Sequence, residues 1–240
     1  MISLFRKVRK KNLQEYRFAR YVLYAIGEIV LVVIGILIAI QINTANQNRQ
    51  NRALERQLLR SFQTDIAASI RELDRVIEKS KITALAADSI LSIHRDQSES
   101  IEPSDMGELM MTLTGYTSFA SQDGTVSDIL GSGNLDIIQN DSIRLALASW
   151  TSNLKLLRGW EELDKTSSIQ VHNLLEQNLD IYKADPSEFL TEETLEALFS
   201  SRVFLNMTSG RYHLTSVLNE IYRDKRKDYK KLSEMIQDEI

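Results

Sequence analysis

The residue that invites a chemical reading first is Glu28, a carboxylate beside an apolar run. Ten of the twelve residues from Ile29 to Ile40 are Ile, Val or Leu. A titratable group in such a setting has three uses: pairing with a neighbouring helix, carrying a proton, or none beyond reaching back to water. Other candidates for chemistry are fewer. His94, His172 and His213 lie far apart in sequence and lack metal-ligand spacing, so no metal site is expected. The stretch "GSGNL", residues 131–135, has the composition of an anion-binding nest, and equally of an interhelical turn. Asn206-Met207-Thr208 matches a glycosylation sequon in form only. Walker, GxGxxG, HExxH and GxSxG motifs do not occur. Asp and Glu recur at helical spacing, which predicts solvated faces. The reading is therefore of a non-enzyme without a cofactor.

The element that must carry Glu28 is the segment from Tyr21 to Ile40. About twenty mostly apolar residues make roughly 30 Å of helix, the thickness of a hydrocarbon core. An acidic residue at the centre of a span costs about 2.5–3.5 kcal/mol, and ten residues at about 0.3–0.6 kcal/mol each offset roughly 3–6 kcal/mol. Insertion wins. Glu28 is also off-centre, and helical side chains lean toward the N-terminus, which carries its carboxylate toward Tyr24 and the basic flank. No A-x-A-like site follows, so the segment reads as an uncleaved signal anchor.

The flanks set orientation. Arg6, Lys7, Arg9, Lys10, Lys11, Arg17 and Arg20 precede the span with one acid, Glu15. Arg49, Arg52, Arg56 and Arg60 follow it with Glu55. The excess of cations before the span predicts a cytoplasmic N-terminus and a periplasmic C-terminal part. The expected organisation is a basic leader over 1–20, a transmembrane helix over 21–42 and an extracytoplasmic helical domain over 43–240.

Around the span, Gly27, Leu31, Gly35 and Ala39 step along one stripe, with Tyr24 and Glu28 on the same side. Gly35-x-x-x-Ala39 is a small-xxx-small pattern that lets two helices approach closely. A polar residue on that stripe is expected to face a helix, from a second copy or another membrane protein.

The rest of the 240 residues is polar and helical in pattern. Two Pro and nine Gly favour long helices over a many-turned β fold. The absence of Cys removes disulfides, thiol catalysis and thiolate metal sites. A net charge of −4 points away from nucleic acid. Leu54, Leu58, Phe62, Ile66, Ile70, Leu73 and Ile77 keep helical spacing, which continues loosely to Ile93. "HRDQSESIEPSD" ends that helix, and a short one ends near Gly115. Gly131 and Gly133 break the next stretch. Asn140 is an N-cap signal, with Asp141 in the first turn. Ile143, Leu147, Trp150, Leu154, Leu157, Trp160, Leu163, Val171, Leu174 and Leu179 then predict an inward face down to about Tyr182. "KADPSEFLTEET" is a second break, with Thr191 a further N-cap. The last helices are expected to turn Leu195, Leu198, Val203, Leu214, Val217, Ile221, Leu232 and Ile236 inward, with Gly210 a candidate interruption. The basic run "RDKRKDYKK" reads as a solvated face. The sum is an all-α fold: one transmembrane helix continuing into an elongated antiparallel bundle, or coiled coil, of three long helices plus a short broken one.

The order of features resembles a known group. A basic leader, "LYAIGEIVLVVIGILIAIQIN", a charged helix and "ILGSGNLDIIQNDSIRLAL" are similar to an uncharacterised family of single-pass membrane proteins of Bacteroidota, domain-of-unknown-function family 6090. Tyr24, Gly27, Glu28, Gly35 and Gln41-Ile42-Asn43 carry the first match. Ser132 to Leu135, Ile138 and Asn140 carry the second. The family often continues with Asn-Trp-Asn; here Asn43 is followed by Thr44, Ala45 and Asn46, without the interfacial Trp. The resemblance implies a bacterial inner-membrane protein and no activity. Three functional classes follow. The first is a membrane-anchored interaction or scaffold protein that associates through the Tyr24, Gly27, Glu28, Leu31, Gly35, Ala39 face. The second is a periplasmic helical-bundle sensor, which would need a partner to signal inward, since neither a second span nor a cytoplasmic module is legible. The third is a proton-coupled accessory subunit using Glu28.

Overall fold

The computed structural model describes residues 2–96, 101–183 and 189–240, and for residues 2–19, 103 and 182 the backbone alone. Every helix or turn among them is helical in type. In chain order they are α1 (Ile2–Arg95), α2 (Pro103–Leu113), α3 (Gly124–Ser132), α4 (Asp141–Asn178), α5 (Glu192–Ser200) and α6 (Arg202–Glu239). Two 3₁₀ turns, Asn134–Ile137 and Ile181–Lys183, follow α3 and α4. The chain forms two compact units, Met1–Leu54 and Glu55–Ile240. Parts of both predicted breaks, residues 97–100 and 184–188, and the leader side chains before Arg20 lie outside the described residues.

Cap chemistry sets the helix ends. The Asn140 side chain accepts hydrogen bonds from the backbone N–H groups of Ser142 (3.0 Å) and Ile143 (3.2 Å), and Asp141 sits in the first turn. Thr191 and Thr194 form a reciprocal capping box at the start of α5. Gly133 ends α3 at φ 73°, in the left-handed region where a side chain is strained, so "GSGNL" is a helix end followed by a tight turn. Gly210 does not interrupt α6, which runs unbroken from Arg202. The break lies at Ser201, whose side chain accepts from the N–H of Phe204. A glycine inside a helix costs only about 1 kcal/mol against alanine, and here buried Thr208 and Arg211 hold the helix on either side of it.

In the Glu55–Ile240 unit the part of α1 beyond residue 54 runs parallel to α4. Glu55 meets Gln139 near one end, and Phe62 packs edge-on against Trp150 further along. Helix α6 runs antiparallel to both. Gln63 bonds Ser233 while Asn219 bonds Ser80 and the Ile77 carbonyl, and Trp150 stacks on Tyr229 while Asp164 pairs with Arg211. The segment from α2 to the turn after α3 returns from the Arg95 end to the Glu55 end. It is thus a full fourth arm, although helical only in parts.

Two apolar cores fill the bundle. The one toward the Glu55 end contains Leu59, Phe62, Ile66, Trp150, Tyr229 and Ile236. The one toward the Arg95 end contains Ile90, Met106, Met110, Val171, Leu175 and Phe204. Between them the inward positions of all three long helices turn polar: Ser80 and Thr83 on α1, Glu161, Asp164 and Ser168 on α4, Thr208, Arg211 and Thr215 on α6. The apolar periodicity is misleading at this level. Trp160 and Leu163 on α4, and Val203 and Val217 on α6, point outward, while Glu161, Asp164, Phe204 and Leu218 take the inward positions.

The α4 cap gives a local test. Replacing Asn140 by Ala should lower stability by about 1 kcal/mol, while Asn140→Asp should stay near wild type. Urea unfolding of the detergent-solubilised chain, followed by tryptophan fluorescence, measures both.

Candidate functional site

The first candidate is the stripe on the apolar helix. Among the described residues one helix is long and apolar enough to cross a membrane, and its apolar window lies wholly exposed. Tyr24, Glu28, Leu31 and Ala39 are exposed along it, and a Cβ built on Gly27 or Gly35 meets no atom within 4 Å. The stripe is exposed as the other faces of this helix are, and is set apart by its small residues and by a carboxylate near one end.

The second candidate is the polar layer in the bundle. Its residues were missed by a reading that placed acids on solvated faces, and their burial follows from the fourth arm. Residues 114–123 are non-helical and lie along the long helices, with Thr117 and Phe119 buried and Tyr116, Ser118, Ala120, Gln122 and Asp123 exposed, so their backbone groups lack helical partners. Side chains of the long helices take that place. Asp164 Oδ2 accepts from Thr117 N (3.0 Å), and Glu161 Oε1 accepts from Phe119 N (2.6 Å). Ser69 accepts from Gln122 N, Asp65 from Thr125 N and Glu55 from Gln139 N. On the carbonyl side the Arg211 guanidinium donates to the oxygens of Leu113 (3.2 Å), Gly115 (2.6 Å) and Asp164 (2.9 Å). The Ser168 hydroxyl donates to the Thr114 carbonyl.

Charge is matched within the same layer. Arg211 is 0% exposed and Asp164 1%, and Nη1 lies 2.6 Å from Oδ1. Glu161 also accepts from the Tyr222 hydroxyl (2.9 Å) and from Arg158 (2.8 Å). Burial pushes the Tyr222 hydroxyl above the ordinary tyrosine range; the bond to Thr117 opposes this, and the nearby Glu161 and Asp164 add to it. Burial raises Tyr229 too, with Asp123 and Asp228 contributing. Both stay neutral at ordinary pH, so Tyr222 is a donor to Glu161. All oxygens of Glu161 and Asp164 are engaged within the chain, which makes this a device for holding backbone.

The histidines are not brought together as one centre. His94 packs on Phe199, His172 pairs with Glu176 at 3.3 Å, and His213 sits against Tyr212. Among the described residues no three His, Asp or Glu side chains converge to hold a metal ion. Two surface grooves accompany α6. One of about 330 Å³ lies against α4 over Trp150 and Tyr229, and one of about 380 Å³ lies against α1 between Lys81 and Arg223. The sequence does carry a signal for the polar layer: Ser, Thr, Asp, Glu and Arg fall in phase with the apolar positions on all three helices at one level.

The family model described as a family of unknown function, DUF6090, matches residues 28–175. The chain belongs to this family. No curated protein and no solved structure matches it. The stretch shared with DUF6090 begins at Glu28 and takes in most of the apolar run, the non-helical segment 114–123 and the buried carboxylates Glu161 and Asp164 of α4. It ends before Arg211, so the cation of the buried pair lies outside it.

Two outcomes are expected. Arg211→Met strands a buried carboxylate and should cost about 3–5 kcal/mol. Adding Asp164→Asn to that variant should cost much less than Asp164→Asn alone, with a coupling of about 0.5–3 kcal/mol in a urea double-mutant cycle. The tyrosines predict alkaline sensitivity. In the unfolded chain they ionise near the ordinary value of 10.0, while folding keeps both protonated. Their contribution is complete below that pH and is lost above it, at up to about 2.7 kcal/mol per pH unit for the two together. Tyr229→Phe should remove about half of that slope, measured by urea unfolding between pH 9 and 11.

Proposed function

We propose that the chain is a membrane-anchored helical interaction or scaffold protein, non-catalytic, that associates through one face of its span. The N-terminus is cytoplasmic and the bundle periplasmic in this reading, with the inner membrane as its site. The observation that carries it is the open stripe: Gly27, Gly35 and Ala39 allow close approach, and Tyr24 and Glu28 on the same side are stabilised by facing a helix rather than lipid. The occupant is a second copy or another membrane protein.

The natural absence of Cys makes the test direct. Single cysteines at Gly35 or Ala39 should crosslink in native membranes severalfold more than cysteines at Val33 or Leu37, on the opposite face. Equal yields from the two faces would remove the interface.

A further inference from the structure

The groove between α4 and α6 is chemically two-sided. Trp150 and Tyr229, stacked with ring centroids 4.8 Å apart, line it together with Leu145, Ala146, Leu232 and Met235. Leu145 is 70% exposed, which leaves apolar surface there for an occupant to cover. The charged groups all come from α6: Lys225, Asp228 and Lys231, three residues apart. Helix α4 adds only the hydroxyls of Ser142 and Ser149 and the amide of Asn153.

The cations of α6 are used unequally. Arg226 and Lys227 do not line the groove and are paired, with Asp74 and Asp224. Lys225 and Lys231 line it and have no ion pair among the described residues. Trp150 is unusual in a second way. It is 5% exposed, and its indole Nε1 has no hydrogen-bond partner. A buried indole N–H ordinarily has one. An uncompensated donor in the wall favours an electron-rich occupant and opposes a cation.

We propose that this groove binds a small amphipathic acid, its apolar body against Trp150 and Leu145 and its anionic head at Lys225 and Lys231. The inference is independent of the span face and gives the bundle itself a ligand. Charge selects the sign: two unpaired cations against Asp228 leave the edge net positive. Asp228, between the lysines in sequence, disfavours a head with more than one negative charge. Size selects the class. Ligand pockets run from about 300 to 1,000 Å³, and about 330 Å³ suits one ring system or a single medium-length chain rather than a two-chain lipid. The walls select the body, since a wholly polar anion such as inorganic phosphate leaves the rings and Leu145 uncovered.

The experiment uses the full-length chain in phosphatidylcholine proteoliposomes, with Trp160→Phe so that Trp150 is the sole indole. The probe is anilinonaphthalene sulfonate, compared with phenylnaphthylamine, which has the same rings and no charge. Energy transfer from Trp150 is read against the same chain carrying Ser149→Phe, which fills the groove. Saturable transfer to the sulfonate is expected, severalfold tighter than to the neutral probe. Decanoate should displace it and decanol should not. Lys225→Gln with Lys231→Gln should weaken the sulfonate severalfold and leave the neutral probe unchanged. Lys227→Gln with Lys230→Gln, the same change of charge off the groove, should alter neither, and the circular dichroism spectrum should be common to all. Transfer no greater than in the Ser149→Phe chain would overturn the proposal. So would equal affinity for the two probes, or equal weakening by the two lysine pairs. Transfer that falls as protein is concentrated in the bilayer would overturn it too, by assigning the groove to a second copy.

Discussion

A stretch of backbone without helix or sheet lies against the long helices of this bundle with Thr117 and Phe119 turned inward, and the polar layer of those helices is arranged around satisfying it. Burying an amide or carbonyl without a partner costs about 1–3 kcal/mol by mutational measures. Residues 114–123 present several such groups. The long helices answer with carboxylates and hydroxyls for the N–H groups and with one guanidinium for the carbonyls. That exchange explains why two apolar cores are separated by a polar layer, and why three helices from distant parts of the chain change character at the same level.

An arrangement of this kind is better suited to specificity than to stability. A buried ion pair is often no more stabilising than a well-packed apolar pair of similar volume. Its effect is on alternatives. Sliding α6 along α4 by one heptad would set Arg211 in an apolar layer and leave Asp164 without a cation. The apolar layers alone offer several nearly equivalent registers, as long amphipathic helices do. Arg211 makes contacts with α4 and with the carbonyls after α2, so it fixes two neighbours at once.

Much of the fold was legible in the sequence where the signal is local. Asn140 and Thr191 act through side chains on their own turn, and the three long helices follow from periodicity and the scarcity of Gly and Pro. The inward faces were legible where both layers are apolar, as at Phe62, Ile66, Leu147 and Trp150. They were misread at Trp160, Leu163, Val203 and Val217 because hydrophobic periodicity counts apolar residues and has no term for a backbone segment that needs acids. Glu161 and Asp164 become core residues only once "GYTSF" is known to lie against them, forty or more residues away. The stripe around Glu28 is legible in the other direction: its residues lie along one helix, and its spacing needs no distant partner to be read.

The completeness of the fourth arm has a consequence for how the domain can change. With four passes, the strand of chain that enters at Glu55 leaves beside it, where Asn140 bonds Glu239. Whatever follows Glu239 therefore emerges at the entry end. Ile101, Leu179, Phe189 and Leu190 pack at the far end, in the Ile90 and Phe204 core. Changes of length beside these residues do not cross the polar layer that sets the register. The fold thus separates a fixed base from a tip open to variation.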